Sequence, residues 1–307
     1  MILVRLTGGL GNQMFQYAFA KHLSIEKGVN LKIDTSLLGG GELENLVVRQ
    51  FDLDVFDIQK IEAMATKKEV ERFNGKFSPT IMDRISFKIK SIFSNDQLLI
   101  QRGNEINDQM LCPKGEELCI VGRWQSERFF FNNTDAIKKI FSFSGFQPNT
   151  YSLSVAEQIR QSKSVSIQVR RGDYVTHPIY SKKLGALSMK YYLDAISLLK
   201  EKVSGNLTFY IVSDDIEWCK FNFENVNENI VFVEQEKNKL GFLSDLWLLH
   251  ICQHAIISNS TFSWWGAWLG ETAESVIIAP KKWSISPEFT PESIIPERWS
   301  KIDNNFL

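Results

Sequence analysis

The sequence has few cysteines, almost no net charge and no long apolar run, and each shortage excludes a class of protein. Four cysteines among 307 residues, none in a CxxC pair, form neither a disulfide framework nor a zinc finger. A formal net charge of -1 argues against nucleic acid as a partner, which requires a broad basic surface. The chain lacks the uncharged run of about 18 apolar residues that spans a bilayer, and a signal peptide is absent. We therefore expect a cytoplasmic protein without a transmembrane segment.

Membrane contact is expected at most at the surface. The segment from Asp83 to Phe93 combines three basic residues, Arg84, Lys88 and Lys90, with apolar positions. A basic amphipathic helix of this kind can lie on an anionic leaflet, although the same pattern also suits a helix of the protein core. The prediction is weak, peripheral contact with the inner membrane at most.

The length and composition of the chain predict two domains. A chain of 307 residues, 44% of them hydrophobic, exceeds the size at which a single core stops growing. The segment 142–150, SFSGFQPNT, is rich in Gly, Pro, Ser and Asn, which is typical of a linker. We place an N-terminal domain at 1–150 and a C-terminal domain at 151–307.

Both domains are expected to be α/β. The first opens with a strand, a glycine-rich turn, a helix to Lys27 and a second strand, whereas 40–110 is irregular and predicts helices and long loops. The second alternates strands and helices, which predicts a parallel, doubly wound sheet. Its predicted strands are 165–170, 207–213, 230–233, 255–258 and 275–279, and its predicted helices are 188–203, 215–222, 240–254 and 262–270.

Polar residues follow the predicted strands of the second domain, where parallel sheets bind their ligands. The first strand is followed by Arg170, Arg171 and Asp173, the second ends at Ser213-Asp214-Asp215, and the fourth ends at Ser258-Asn259-Ser260-Thr261. A pair of arginines leaving a buried strand is typical of phosphate or carboxylate binding. The alternative for the first cluster is a surface ion-pair group, but convergence of all the clusters on one rim favours a ligand pocket.

The rim clusters have distinct chemistry. The hydroxyls and backbone N–H groups of Ser258 to Thr261 precede a helix and suit an anion, although an ordinary helix cap by Ser260 or Thr261 gives the same pattern. Asp214 and Asp215 could hold a divalent ion, or accept hydrogen bonds from a base or a sugar. Because the arginines already neutralise phosphate, we favour the acceptor role and expect no metal.

Two further patterns are weaker. The first turn, Gly8 to Gln13, resembles a dinucleotide fingerprint with Asp34 as the ribose acid, but its third glycine is missing, so a NAD-binding oxidoreductase stays only an alternative. Its glycines, including Gly9 and Gly11, still allow a ligand close to the backbone, and Asn12 offers an amide. His250 and His254 are expected to pack on one helix, and at least two of the tryptophans at 264, 265 and 268 are expected in the core.

Five blocks of sequence together resemble the α-1,2-fucosyltransferases of glycosyltransferase family 11. They appear in the family's order and are GGLGNQMFQYAFA (8–20), GRWQSERFF (122–130), QVRRGDYV (168–175), FYIVSDDIEWC (209–219) and SNSTFSWWGAWLG (258–270). The resemblance implies a GT-B-like architecture, with two facing Rossmann-like domains, an N-terminal acceptor side and a C-terminal GDP-sugar site. It also implies metal-independent, inverting transfer of L-fucose from GDP-β-L-fucose to the 2-hydroxyl of a galactose-terminated glycan, as in O-antigen or other surface glycan synthesis, without a further cofactor.

The resemblance also implies roles for individual residues. Arg170 would hold the β-phosphate and Asn12 would face the fucose and the acceptor hydroxyl; these two and Asp173 are the predicted catalytic residues. The predicted donor-binding residues are Gly9, Gly11, Gln168, Arg170, Arg171, Asp214, Asp215, Ser258, Asn259, Ser260, Thr261 and Phe262.

One position departs from the family pattern. The motif HxRRxD begins here with Gln168, which can replace a neutral imidazole in a hydrogen bond but cannot titrate. A general base is not identified by the sequence, since Asp173, Glu127 and a base-free dissociative route all stay open. A metal-dependent or retaining nucleotide-sugar enzyme that uses Asp214 and Asp215 is the main alternative function.

Overall fold

The computed structural model describes residues 1–39, 49–74, 96–101, 106, 108–234, 241–287, 290–291 and 293–307. The segment from Asp83 to Phe93 lies outside these ranges, so its membrane contact stays a prediction. Within them, no helix combines the length and apolar character that crossing a membrane requires. The chain divides into two compact units, Met1–Phe141 and Ser142–Leu307.

The N-terminal unit is built on a parallel sheet. Its described strands lie in the order β3-β2-β1-β5-β4. They are β1 (Ile2–Arg5), β2 (Leu31–Asp34), β3 (Ala63–Met64), β4 (Asp96–Ile100) and β5 (Glu117–Val121), and the described helices are α1 (Leu10–Lys27), α2 (Ile58–Ile61), α3 (Lys67–Asn74), α4 (Asp108–Leu111) and α5 (Thr134–Ile140). The apolar run of β1 is fully buried because the central strand of a parallel sheet is covered on both faces. The strand-helix-strand opening is confirmed, and β3 and β4 lie in the region where only helices and loops were predicted.

The C-terminal unit is a second parallel sheet, with its described strands in the order β11-β10-β9-β6-β7-β8. They are β6 (Lys163–Val169), β7 (Leu207–Ser213), β8 (Asn229–Phe232), β9 (His254–Ile256), β10 (Ile277–Pro280) and β11 (Ser300–Ile302). The described helices are α6 (Thr150–Gln161), α7 (Gly172–Thr176), α8 (Tyr180–Lys183), α9 (Met189–Lys202), α10 (Ile216–Phe223), α11 (Gly241–Ile251) and α12 (Thr261–Gly270). The predicted alternation of strands and helices is confirmed, and β11 and the helices α6, α7 and α8 are additions to it.

The division between the units falls at the start of the 142–150 segment, whereas the sequence placed the first domain's end at residue 150. Phe143 and Phe146 pack against the cluster formed by α6 and α11, together with Val155, Ile159 and Trp247. The segment 142–150 therefore packs as part of the second unit through its two phenylalanines, although its composition is typical of a linker.

The helix before β9 ends earlier than the sequence predicted. α11 ends at Ile251 and His254 begins β9, so the expectation that His250 and His254 pack on one helix is wrong. The His250 ring stacks on Phe143 at 5.1 Å, and Nδ1 of His254 accepts from the backbone N–H of Val276 at 3.1 Å. Burial of His254 lowers its imidazole pKa, with the nearby Lys163 charge as a further cause. All three tryptophans of α12 are buried, which confirms their place in the core.

Candidate active site

The polar rim of the C-terminal sheet follows from strand register. Val169, the last residue of β6, pairs with Ser213, the last residue of β7. Because the strands are parallel, the residues that follow them, Arg170 and Asp214, leave the sheet side by side. The sequence predicted this juxtaposition from the strand ends alone.

Arg170 lies between two carboxylates. Its Nη2 atom is 2.6 Å from Asp173 Oδ1, and its Nη1 atom is 2.8 Å from Asp214 Oδ2. Its guanidinium also lies over the Tyr174 ring, 5.4 Å from the ring centre. Burial opposes the charged form, but the carboxylates of Asp214 and Asp173 outweigh it and raise the pKa of Arg170 above its usual value. With 26% of its side chain exposed, Arg170 is a fixed cation at an accessible edge.

Arg171 is more deeply buried than Arg170. Its backbone N–H donates to Asp214 Oδ1 at 2.8 Å, and its Nε atom donates to Asp215 Oδ2 at 3.0 Å. The guanidinium stacks on Trp218, 4.1 Å from the ring centre, and only 12% of the side chain is exposed. Its Nη1 atom is buried with no hydrogen-bond partner among the described residues. Arg171 thus anchors the turn to α10 through its side chain.

Asp214 and Asp215 are engaged by protein groups. Asp214 bridges Arg170 and the backbone of Arg171, and Asp215 pairs with Arg171 while its Oδ1 accepts from the Trp218 N–H at 3.2 Å, which caps α10. A Cβ atom on Gly172 would lie 2.4 Å from Asp214 Oδ2, so glycine is required for this close approach. The described contacts of both carboxylates are with Arg170, Arg171 and the start of α10. Sequence reasoning did not anticipate these contacts.

A side-chain hydrogen bond joins the ends of the neighbouring strands β6 and β9. The Ser258 hydroxyl, just beyond β9, donates to Gln168 Oε1 on β6. Gln168 is only 4% exposed, and its Nε2 atom donates to the Val169 carbonyl at 3.3 Å. Gln168 therefore lies behind the rim and links β6 to the start of the α12 loop.

In the loop that leads into α12, Ser258, Asn259 and Ser260 are buried, whereas Thr261 and Phe262 at the start of the helix are partly exposed. Asn259 is 1% exposed, and its amide donates to the backbone carbonyls of Gly185 (3.0 Å) and Trp283 (3.1 Å). Phe262 packs against the apolar cluster of α6 and α11. The described contacts give Asn259 a structural role, because its side chain faces the protein interior, whereas Phe262 is only partly buried. Ser260 occupies the cap position of α12, and its side chain makes no cap hydrogen bond there.

The first turn of the N-terminal unit is fixed by buried amides. Oδ1 of Asn12 accepts from Gln125 Nε2 at 2.7 Å, and Gln13 Nε2 donates to the carbonyls of Gly8 and Gln50, both at 2.8 Å. Gly8 has a φ of +75°, which favours glycine, and the buried Gly11 lies in the first turn of α1. The turn thus holds Asn12 in one orientation, and Gly9 is the cap residue of α1.

Asp34 is paired inside the N-terminal sheet. Its Oδ2 atom is 2.7 Å from Arg5 Nε, and the two side chains are 2% and 5% exposed. Oδ1 accepts from the Ser36 N–H at 2.9 Å. A carboxylate committed in this way does not present a ribose acceptor, which removes the residue on which the dinucleotide alternative depended.

Sequence reasoning missed the aromatic partners of the arginines. Tyr174 lies four residues after Arg170 and Trp218 three residues after Asp215, spacings that bring side chains to one face of a helical turn. Tyr174 also donates from its hydroxyl to the Asn259 carbonyl at 3.3 Å. The helical spacing was the available signal, but which arginine each ring covers depends on contacts between elements.

The parallel sheets, and the rim where Arg170 and Arg171 pair with aspartates at the strand ends, define an α/β protein with a charged edge. A model of the family described as Glycosyl transferase family 11 matches residues 1–303, so the chain belongs to that family and is a glycosyltransferase. An alpha-1,2-colitosyltransferase of Escherichia coli is 34% identical over 99% of each chain. The O-antigen biosynthesis glycosyltransferase WbnK of Escherichia coli is 29% identical over 91% of this chain and 93% of its own.

A solved structure shares the fold. A mutant of Arabidopsis thaliana FUT1 in complex with GDP superposes with a TM-score of 0.50 at 16% identity, covering 92% of this chain and 71% of that chain. The α/β, GT-B-like class expected from the sequence is thus confirmed.

Proposed function

We propose that the protein is an inverting α-1,2-fucosyltransferase that moves L-fucose from GDP-β-L-fucose to the 2-hydroxyl of a terminal galactoside. The observation that carries the proposal is the rim at the end of β6, where Arg170 lies 2.8 Å from Asp214 and over Tyr174. Tyr174 connects this arginine to the loop that starts α12. Membership of family 11 and the α-1,2 linkage in the name of a relative support the reaction.

The leaving group explains why a fixed arginine belongs here. Breaking the bond between fucose C1 and the phosphate oxygen places negative charge on GDP and positive charge on the sugar. A guanidinium with two parallel donors, and the N–H groups at the start of α12, stabilise that charge as it develops. The diphosphate would replace Asp173 and Asp214 as partner of Arg170, whose orientation those carboxylates fix in advance.

The proposal places Asp173 with the leaving group. Its carboxylate is 2.6 Å from Arg170 Nη2, whereas inversion requires the acceptor hydroxyl, and any base for it, on the opposite face of the sugar. Asp173 therefore orients Arg170 in this mechanism. Asn12 and Glu127 of the N-terminal unit remain the proposed acceptor-side residues, with a base-free dissociative route as the simplest form of the reaction.

Metal independence is part of the proposal. Asp215, one of the two carboxylates suited to a divalent ion, is engaged by the Arg171 side chain and the α10 cap. The other, Asp214, keeps its bond from the Arg171 backbone N–H when the diphosphate replaces it on Arg170, so charge neutralisation falls to the arginine and the helix. We expect turnover to persist in excess EDTA. Loss of turnover on chelation that Mn²⁺ or Mg²⁺ restores would instead favour the metal-dependent alternative.

A second donor has a specific observation behind it. The relative that is 34% identical over 99% of the chain is named for colitose, a sugar that lacks the 3-hydroxyl of fucose. Turnover should therefore be compared with GDP-fucose and GDP-colitose, using GDP-mannose and UDP-galactose as controls. Preference for GDP-fucose, with a new α-1,2 linkage on a β-galactoside seen by NMR, supports the proposal. Preference for GDP-colitose would change the donor sugar, and turnover of only UDP-galactose would reject both.

A surface glycan is the proposed acceptor. One relative is named for O-antigen biosynthesis, and the proposed reaction requires a terminal galactose. A panel of β-galactosides that differ in the next sugar, assayed with one donor, would identify the acceptor class.

A further inference from the structure

Asn259 lies at the centre of the rim, between β9 and α12, yet its side chain is buried. A buried amide costs free energy unless it is hydrogen-bonded. Its Nδ2 atom donates to the carbonyls of Gly185 and Trp283, which belong to separate segments, at 3.0 and 3.1 Å, whereas its buried Oδ1 atom has no hydrogen-bond partner among the described residues. The side chain therefore fixes the position of residue 259 against two neighbouring loops.

The backbone of Asn259 connects these hydrogen bonds to Arg170 on the rim of the sheet. Its carbonyl accepts from the Tyr174 hydroxyl at 3.3 Å, and the Tyr174 ring lies under the Arg170 guanidinium at 5.4 Å. A continuous series of contacts thus runs from Trp283 and Gly185 through residue 259 to Arg170.

The neighbours of Asn259 determine where the helix begins. Ser258 is bonded to Gln168 on β6, and Ser260 is the cap residue of α12. A shift of residue 259 would therefore displace both the N–H groups at the start of α12 and the aromatic platform of Arg170.

We propose that Asn259 is a positioning residue for glycosyl transfer, which fixes the start of α12 relative to Arg170 so that both reach the same diphosphate. The inference rests on the proposed function, because it assigns these two groups to one leaving group. It differs from the ligand contact expected from the sequence, since Asn259 acts through Tyr174 and the loop backbone.

Asn304 provides a matched control. It is also a buried asparagine of the C-terminal unit, 5% exposed, and its side chain accepts from the Lys282 N–H at 2.8 Å and donates to the Lys282 carbonyl at 3.1 Å. These bonds join the segment after β11 to the segment after β10. A substitution there removes similar hydrogen bonds and leaves those of Tyr174, Ser258 and Asn259 themselves in place. Because Lys282 adjoins Trp283, the variant also tests whether loosening one anchor of Asn259 is enough to lower activity.

The first experiment compares Asn259→Ala, Asn304→Ala and Tyr174→Phe by melting temperature and by kcat and donor KM well below the melting point. Both alanine variants should melt earlier. Asn259→Ala should lose about 100-fold in kcat/KM, the effect of a misplacement of about 1 Å, and Asn304→Ala should stay within about twofold. Tyr174→Phe keeps the ring and loses one hydrogen bond, so about a fivefold loss is expected.

Equal kinetic losses in the two alanine variants would overturn the inference, because burial alone would then explain both. If Asn259→Ala does not fold, Tyr174→Phe decides the question: unchanged kcat and KM in that variant overturn the proposal.

The second experiment uses pH to restore a hydrogen-bond donor at position 259. In Asn259→Asp an ionised carboxylate faces two carbonyl oxygens, whereas the protonated acid donates one hydrogen bond, and burial raises the pKa of such a carboxyl. The activity of Asn259→Asp relative to wild type should therefore rise at least about fivefold as pH falls from about 8 to about 5.5. Asn304→Asp should show a constant ratio, and a constant ratio in both variants contradicts the positioning role.

Failure of the proposed function gives a different result. If the wild type transfers neither fucose nor colitose, the proposed function is rejected. The positioning role of Asn259 is then tested by GDP affinity alone, measured by calorimetry. Weaker binding in Asn259→Ala than in Asn304→Ala supports the positioning of the anion site, and equal binding overturns it. Wild type that binds no GDP rejects the function and the inference together.

Discussion

The two sheets place an arginine-aspartate pair at the same point, the carboxyl ends of neighbouring parallel strands, but use it differently. In the N-terminal unit Arg5 and Asp34 are in register as the last residues of β1 and β2, and their side chains are 5% and 2% exposed. In the C-terminal unit Arg170 and Asp214 directly follow β6 and β7, and their side chains are 26% and 22% exposed. A shift of one position along the strand thus separates a pair that belongs to the core from a pair at an accessible edge.

The difference has a physical cause. A buried pair has lost its hydration, so each charge depends on its partner, and removing one leaves the other uncompensated. A pair at the edge keeps contact with water and can exchange a carboxylate partner for a phosphate at small cost. Arg5 and Asp34 therefore contribute to folding, and Arg170 and Asp214 to the proposed reaction.

The largest expected effect tests the buried pair. Asp34→Ala should destabilise the N-terminal unit by about 3–5 kcal/mol, because Arg5 loses its carboxylate partner inside the sheet. Denaturation with urea measures the loss, and hydrogen exchange locates it in the unit Met1–Phe141. Asp194→Ala is the control, since Asp194 pairs with Lys190 on an exposed face of α9 and should change stability little. Equal effects of the two substitutions would contradict the comparison.

Arg170→Ala should affect activity more than stability. Loss of the charge-assisted contact to the leaving diphosphate is expected to lower kcat/KM about 100- to 1000-fold, while circular dichroism shows a folded protein. Arg170→Lys should recover little, because an ammonium does not reproduce the guanidinium fork. Near-normal turnover of the alanine variant would show that the rim is not the donor site.

A smaller loss of stability is expected from substitutions between α11 and α12, which pack behind the rim. A Cβ atom on Gly270 would lie 2.0 Å from the backbone carbonyl oxygen of His250, whereas one on Gly266 would meet the side chain of Leu249 at 2.8 Å. Gly270→Ala should cost about 1–3 kcal/mol or more of stability, because backbone on α11 must move. Gly266→Ala should cost less, because its nearest contact, Leu249 Cβ at 2.8 Å, is longer and needs a smaller displacement, and urea midpoints of the two variants measure the order. The reverse order would mean that α11 shifts easily against α12.

The smallest expected effect concerns Gln168. Because this residue is buried behind the rim and bonded to Ser258, Gln168→His should keep activity within about tenfold. Its pH profile should gain an acidic limb near about 6 to 7, where imidazole titrates. An increase in turnover of tenfold or more, with unchanged donor affinity, would instead identify the position as that of a base. It would also place the acceptor face on this side of the rim.

Much of the C-terminal unit follows from its sequence. Strands β6 and β7 are apolar runs that end at polar clusters, so both strands and the rim residues were readable from composition and period. The bounds of β7 agree with the prediction, whereas β6 begins two residues earlier and ends one residue earlier than predicted. Strand β4 and the short β11 gave no such signal. Helix α6 directly follows the segment rich in Gly, Pro, Ser and Asn that predicted a domain boundary.

The sequence alone determined the family, the alternation of strands and helices, and the convergence of Arg170 and Asp214, because parallel strands bring their carboxyl ends to one edge. Only the tertiary structure decided which polar residues face outward. Asn259 points into the protein, Asp34 is paired with Arg5, and Tyr174 supports Arg170. These assignments depend on contacts between segments distant in sequence, and the hydration lost on burial decides whether a polar group serves the fold or the site.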